Sequence, residues 1–389
     1  MSPSTPRPIR ILTVLTYYAP HWTGLTAIAV RIAEGLAARG HHVSVLTSRN
    51  DLALAPRELL NGVDVVRLPY VARLSRGVLM PSFPLAVRRM IREHDVVHIH
   101  TPLLEAPLVG ALSRFARRPL LMTHQGDLVM PPGVVDQTVE KVGTLLLDGA
   151  ARLATVVSPL NDDYAAESRF LGRYADKLVP ILPPVEFPEP PAGAAARWRA
   201  ELGLDGKRLV GFAGRFVEEK GFDYLLRAVP ALLAAVPDAH LVYAGEHQMA
   251  YEDFHRRCKP LLDAHEEHVT FVGLLRDRRQ LASFYAMCDV FALPSRTDSF
   301  AAVQVEAMLC GTPVVASDIP GARVAVRSTG MGRLVTPRDP GALAAGLAEV
   351  LGDPARYTRP RDEIARAFDP RASIDRYEKL IVDLATGGR

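Results

Sequence analysis

Through the first half of the chain, short runs of β-branched and aliphatic residues recur. Each is closed by a glycine or proline and followed by a stretch whose apolar residues return at helical spacing. The runs Ile9 to Thr16, Val43 to Thr47, Val63 to Leu68, Val96 to Ile99, Leu120 to Thr123 and Leu153 to Val157 are predicted strands. They are apolar almost throughout instead of alternating, which predicts a parallel sheet with helices on both faces. Pro180, Pro183, Pro184, Pro188, Pro190 and Pro191 then favour stiff, extended backbone and predict an interdomain linker. Beyond it the pattern restarts, with strands at Leu209 to Ala213, His240 to Ala244, Val269 to Val272, Val290 to Leu293 and Pro313 to Ala316. The fold class is therefore α/β, with Rossmann-like domains over 1–183 and 184–369 and a final helical stretch, 370–389, placed to pack back on the first. A length of 389 residues agrees, since one core rarely serves so long a chain.

Composition narrows the function classes. A formal charge of +3 without any Lys/Arg tract gives no ground for nucleic-acid binding. Cys258, Cys288 and Cys310 are too few and too scattered for a disulfide framework or a zinc site, and read as buried packing residues in a reducing compartment. No leader pattern and no apolar run of spanning length is present, so a cytoplasmic chain is expected.

In open parallel sheets, ligands lie beyond the carboxyl ends of the strands. Two loops of the second domain stand out there. One holds Gly214, Arg215, Lys220 and Gly221 between a strand and a helix. Two cations at a helix start, flanked by glycines, suit a diphosphate, although a solvated surface pair has the same sequence. The other runs Asp298, Ser299, Phe300, Ala301 and into a helix bearing Glu306 within an apolar run. A carboxylate in such a run needs a partner, either a ribose diol or an ordinary Arg or helix amide.

The run Pro294, Ser295, Asp298, Ser299, Phe300, with Glu306, Ala307, Met308, Gly311, Thr312, Pro313, Val314, Val315, Ala316 and Ser317, resembles the signature of the GT4 family of retaining glycosyltransferases. The resemblance covers nearly the whole chain and implies the GT-B fold, two Rossmann-like parallel-sheet domains facing a central cleft. It implies donor-site roles for two carboxylates, the first near the sugar hydroxyls and the second on the ribose; Glu306 matches the second. Asp298 stands where the family has Glu, and Ala301 where it has Gly, departures that bear on the donor sugar. Arg215 and Lys220 match the diphosphate pair. Gly245 with Glu246 is similar to the glycine-rich turn before the nucleotide site, and Phe271, Val272, Gly273 and Leu274 to the loop along the base. In the first domain, Gly24 matches the second of two family glycines while Thr23 replaces the first. His124, in the run His124, Gln125, Gly126, Asp127, stands where the family has a histidine facing donor sugar and acceptor. Asp127 and His100 are expected on the acceptor side. His98 and His100 share a strand face, but the third ligand that a metal would need is missing, so no metal is expected.

The resemblance implies transfer of a sugar from a UDP- or GDP-linked donor to a glycan, lipid-linked or small-molecule acceptor. His124, Arg215 and Lys220 would be the catalytic groups, with no cofactor beyond the donor. A nicotinamide dehydrogenase is disfavoured because no strand is followed by G-x-G-x-x-G. A nucleotide-sugar epimerase and a binding protein without turnover are the alternatives. Finally, Arg73, Arg76, Arg88, Arg89, Arg92, Arg114, Arg117 and Arg118 outnumber the nearby acids. Val87, Met90 and Ile91 fall on one helical face and Arg88, Arg89 and Arg92 on the other, with Leu79, Met80 and Phe83 just before. The pattern suits either an ordinary amphipathic helix or peripheral contact with an anionic membrane.

Overall fold

The computed structural model describes residues 7–74, 77–127, 134–246 and 253–387; Arg76 lies outside them. The chain divides into two compact units, Met1–Pro184 with Pro370–Arg389, and Val185–Asp369. In the first unit the strands are β1 (Arg10–Val14), β2 (His42–Ser48), β3 (Arg57–Leu60), β4 (Val63–Leu68), β5 (Ala72–Leu74), β6 (Gly77–Leu79), β7 (Val96–Thr101), β8 (Leu120–His124) and β9 (Val156–Pro159). Seven of them form a sheet in the order β3-β4-β2-β1-β7-β8-β9, parallel except where β3 runs against β4, and β5 and β6 make a separate hairpin. The second unit holds β10 (Arg208–Ala213), β11 (Ala239–Ala244), β12 (Val269–Gly273), β13 (Val290–Leu293), β14 (Val314–Ser317) and β15 (Gly332–Val335) in one parallel sheet, ordered β12-β11-β10-β13-β14-β15.

The expected strand Leu153 to Val157 begins later than the sequence suggests. Leu153 closes the helix Val134–Leu153 and Ala154 still donates to the Ala150 carbonyl, so pairing with β8 starts at Thr155. Helix propensity at the end of an alanine-rich turn outweighs the β-branched run behind it. The proline-rich stretch has no regular element over residues 179–191, yet Ile181, Val185 and Phe187 are buried in it. Cys258 and Cys288 are buried as expected, while Cys310 is only partly so because it closes the helix Ala302–Leu309. No described helix is long and apolar enough to cross a membrane.

The final helix, Pro370–Thr386, lies in the first unit, against the helix Gly24–Ala38 and β7. Gly35 makes room for it, since a Cβ there would come within 2.9 Å of Ile374. Arg39 pairs with Asp375 and Glu378, and His41 Nε2 lies 3.1 Å from Glu378 Oε1. Under the helix, Tyr377 sits 5.9 Å, ring to ring, from His98, which is itself 4.3 Å from His100. Both histidines are fully buried. His98 Nε2 meets Thr123 Oγ1 at 2.8 Å, and the Gln125 amide donates to His100 Nδ1 at 3.0 Å. Burial holds His98 down at about 3, and burial together with His98 pushes His100 well below the ordinary histidine range.

A histidine depressed in the folded state contributes stability that is complete above its unfolded value of 6.5 and is lost as pH falls toward the folded value. Each of the pair should therefore remove roughly 1.4 kcal/mol per pH unit below that point. The urea midpoint is expected to fall between pH 6.5 and pH 5, and His98→Gln, which keeps a partner for Thr123, should flatten that fall. A midpoint that does not change over this range would show that the pair titrates normally.

Candidate functional site

In the second unit the strand order reverses at β10, which pairs with β11 on one side and β13 on the other. The loops leaving β10 and β13 therefore flank the point where parallel sheets open to ligands. They are also drawn into close contact. Gly221, with φ of 68°, brings its α-carbon so near the Pro294 carbonyl that a Cβ would lie 2.0 Å from that oxygen. Gly245, with φ of 147°, approaches the Gly214 carbonyl in the same way, a Cβ falling 1.9 Å from it. Backbone bonds continue the seam: Gly214 N–H donates to Ala244 at 3.0 Å and Gly245 N–H to Gly273 at 2.8 Å. Gly214, Gly245 and Gly273 thus stand side by side at the carboxyl ends of β10, β11 and β12, with Leu274 half exposed beyond them.

The charged residues gather on this seam. Lys220 Nζ lies 2.7 Å from Asp298 Oδ2, joining the loops after β10 and β13. Arg215 pairs with Glu219 at 2.9 Å, and Lys220 is also 3.9 Å from that Glu219 carboxylate. Burial pulls the Lys220 ammonium down, but Asp298 and Glu219 outweigh it, and its proton is held more tightly than usual. Asp298 is fixed through its backbone, which bridges to Gly321. Ser299, Phe300 and Ala301 are buried behind it, the Phe300 ring 5.9 Å from that of Phe368. Glu306, on the helix Ala302–Leu309, accepts from the Tyr285 hydroxyl at 3.2 Å. Burial, then the Glu306 charge, pushes that phenol well up, so it remains a hydrogen-bond donor. Arg296 forks onto Asp223 at 2.8 and 2.9 Å and lies over the Tyr224 ring, bracing the loop after β13.

The residues expected in the first unit are arranged differently. Gly24 begins the helix Gly24–Ala38, with open space where a Cβ would stand. Thr23 caps that helix, its hydroxyl accepting from Thr26 N–H at 3.2 Å, so the residue in place of a glycine satisfies a helix-end donor. His124 is fully buried. Its Nε2 meets Asp127 Oδ1 at 3.0 Å and its Nδ1 meets Thr101 Oγ1 at 3.2 Å. Such a ring reaches a ligand only by exchanging one of these partners for it. Asp127 Oδ2 accepts from Ser168 at 3.0 Å, and the Asp127 N–H donates to Tyr164 Oη at 2.8 Å. Burial pushes the Asp127 carboxyl up, and the bonds from His124, Ser168 and Tyr164 pull it further down. Among the described residues, no group of three His, Cys, Asp or Glu side chains is placed to hold a metal ion.

Residues 23–184 match the family described as glycosyl transferase 4-like domain, and residues 195–367 the family described as glycosyl transferases group 1. The phosphatidyl-myo-inositol mannosyltransferase of Mycolicibacterium smegmatis is 30% identical, over 92% of this chain and 87% of its own length. The D-inositol 3-phosphate glycosyltransferase of Mycolicibacterium gilvum is 29% identical, over 96% and 89%. Among solved structures, Anabaena HepE in complex with UDP-glucose has a TM-score of 0.78 at 21% identity, covering 96% of this chain and 99% of that one. Sucrose-phosphate synthase from Thermosynechococcus elongatus has a TM-score of 0.74 at 23% identity, covering 98% and 100%.

Gly245→Ala is expected to force the loops after β10 and β11 apart, at a cost of about 2–4 kcal/mol from the backbone clash and the unfavourable φ. The urea midpoint measures it, and wild-type stability would show that the seam yields to a methyl group.

Proposed function

This chain belongs to the GT4-type glycosyltransferases, with the GT-B fold, and moves a sugar out of a nucleotide-sugar donor; we propose that it retains the anomeric configuration, with Arg215 and Lys220 on the donor diphosphate. The observation that supports this most is the 2.7 Å contact of Lys220 with Asp298. It brings the expected diphosphate cation and the expected sugar-side carboxylate to one point, at the strand ends where the backbone is reduced to glycine.

The chemistry then follows from the charges. Breaking the bond between sugar and diphosphate builds negative charge on the leaving group, and a fixed donor aimed at that charge contributes about 3 kcal/mol. Arg215 and Lys220 supply it without a metal. Glu306, held by Tyr285, accepts from the ribose hydroxyls of a UDP- or GDP-linked donor, while Asp298 and Ser299 face the sugar. Gly214, Gly245, Gly273 and Leu274 leave space for the nucleotide, and Phe300 and Ala301 back the carboxylates. The acceptor attacks from the face that the leaving group departs, and a diphosphate oxygen takes its proton, so no protein nucleophile is needed. On the first unit, Gly24 leaves open space for the substrates, and His100, His124 and Asp127 shape the acceptor side.

We assign the acceptor to the lipid-linked class, presented at the inner face of an anionic membrane to a cytoplasmic enzyme. The helix Phe83–Glu93 buries Phe83, Val87, Met90 and Ile91 and exposes Arg88, Arg89 and Arg92. Met80 and Phe83 belong to the core and not to the outer face, since both are almost fully buried. Leu85, 76% exposed, stands among the arginines around a shallow depression of about 410 Å³. Each arginine near an anionic leaflet adds about 1 kcal/mol.

Incubation with UDP- and GDP-linked sugars is expected to give transfer from one of them, with product anomers matching the donor by NMR. An inverted linkage would remove the retaining assignment. Interconversion of the donor sugar instead of transfer would indicate an epimerase. Glu306→Ala should weaken nucleotide diphosphate binding by more than tenfold in calorimetry, because the buried Tyr285 and the ribose both lose their acceptor. The chain should cosediment with anionic but not neutral vesicles, and Arg88→Glu, Arg89→Glu, Arg92→Glu together should abolish it. Binding untouched by the triple change would place the acceptor in solution.

A further inference from the structure

The two cations of the donor site are already neutralised within the protein. Arg215 faces Glu219 at 2.9 Å, Lys220 faces Asp298 at 2.7 Å, and Glu219 lies 3.9 Å from Lys220. Two positive and two negative side chains therefore form one continuous chain of charge. From this we propose that Glu219, acting with Asp298, is an internal counter-ion that competes with the diphosphate for Arg215 and Lys220, weakening the hold on the spent nucleotide diphosphate and making tight binding depend on the donor's sugar. The inference rests on the reading that these cations take the diphosphate.

The backbone of Glu219 is held beside the cations. Its carbonyl accepts from Arg296 N–H at 2.8 Å, and Arg296 is itself clamped on Asp223. The turn Glu218–Lys220 ends at Gly221, whose backbone is pressed on Pro294. The neighbouring Glu218 turns instead to Arg257. Of the two adjacent glutamates, Glu219 faces Arg215 and Lys220 while Glu218 meets Arg257. Carboxylate and phosphate oxygens seek the same charged donors, so a diphosphate arriving here must displace Glu219 and Asp298 from them. Once displaced, each carboxylate is still a like charge a few ångströms away in a partly desolvated site.

The intact donor meets this cost through its sugar, which gives Asp298 another set of hydroxyls to hold. After transfer that compensation is gone. Asp298 is free to return to Lys220 and Glu219 to Arg215, and the nucleotide diphosphate is released into solvent. A glutamate that merely stabilised the turn would act in the opposite sense, since its loss would loosen the cations and weaken binding.

The test uses the full chain with UDP and GDP as separate probes in calorimetry, alongside product inhibition of transfer. Glu219→Gln is expected to bind the nucleotide diphosphate about fivefold more tightly than wild type, with the gain shrinking as salt is raised. Product inhibition should strengthen, and kcat and KM should fall together as release slows. Glu219→Asp, which keeps the charge, should return affinity toward wild type. Equal or weaker binding by a Glu219→Gln chain that melts like wild type overturns the inference and leaves the donor-site reading standing. Should that variant fold poorly, Glu219→Ala is read in the same way. Failure of the wild-type chain to bind either nucleotide overturns the donor-site reading and this inference with it.

Discussion

The second unit depends on a backbone contact that excludes side chains. Where β10 and β11 end, the Gly214 carbonyl occupies the place of a Gly245 Cβ, and where the loop after β13 begins, the Pro294 carbonyl does the same at Gly221. An aromatic cluster beneath makes these approaches rigid. Phe212 stacks on Tyr243 with ring centres 5.3 Å apart, Phe222 packs edge-on against both and against Phe216, and the Tyr243 hydroxyl donates to the Gly214 carbonyl at 2.7 Å. A fully buried phenol that caps a strand-end carbonyl fixes the loop to the core. Everything charged at the site hangs from that anchor: Arg215 follows Gly214 directly, Lys220 precedes Gly221, and Asp298 lies four residues beyond Pro294.

Seen this way, the parts of the molecule that were legible in the sequence are those with a local cause. Fully buried parallel strands announce themselves because both faces must be apolar, and the runs at Val43, Val96, Leu209 and Val290 do so. The strands without that pattern, β3, β5, β6 and β15, are short and lie at edges or in a hairpin, where one face meets solvent and the apolar run is diluted. The cations and carboxylates were readable as residue types at strand ends. Their partners were not. Tyr285 sits in a helix of unremarkable composition and reaches Glu306 only through the packing of two helices. Glu219 looks like any acid in an exposed turn until the fold sets it beside both cations.

The two units share a strand pattern and differ in how they bury polarity. Under the final helix the first unit keeps neutral groups, two histidines with their rings tilted together, Thr123 and a tyrosine, whose desolvation is tolerable only while they stay uncharged. Asp127, the carboxylate tied into its neighbouring loop, is held by three polar side chains and so serves the structure of that loop first. The second unit gathers full charges that satisfy one another, Arg215 with Glu219 and Lys220 with Asp298. Neutral polarity suits a packed interior, and mutually compensated charge leaves each cation at the strand ends with an acceptor.

Asp298 shows how far a single methylene matters once the backbone is fixed. Its position is set by the bridge to Gly321, where a Cβ would come within 2.5 Å of the Asp298 carbonyl, so the chain there cannot slide to adjust reach. With the α-carbon pinned, side-chain length alone decides where the carboxylate ends, and the aspartate places an oxygen 2.7 Å from Lys220. A longer side chain from the same pinned position would carry its carboxylate past this contact or fold back on itself, at a cost in rotamer freedom. The aspartate, its α-carbon fixed by this bridge, thereby ties the loop after β13 to Lys220 in the loop after β10. On the proposed donor-site reading, the sugar competes with Lys220 for Asp298.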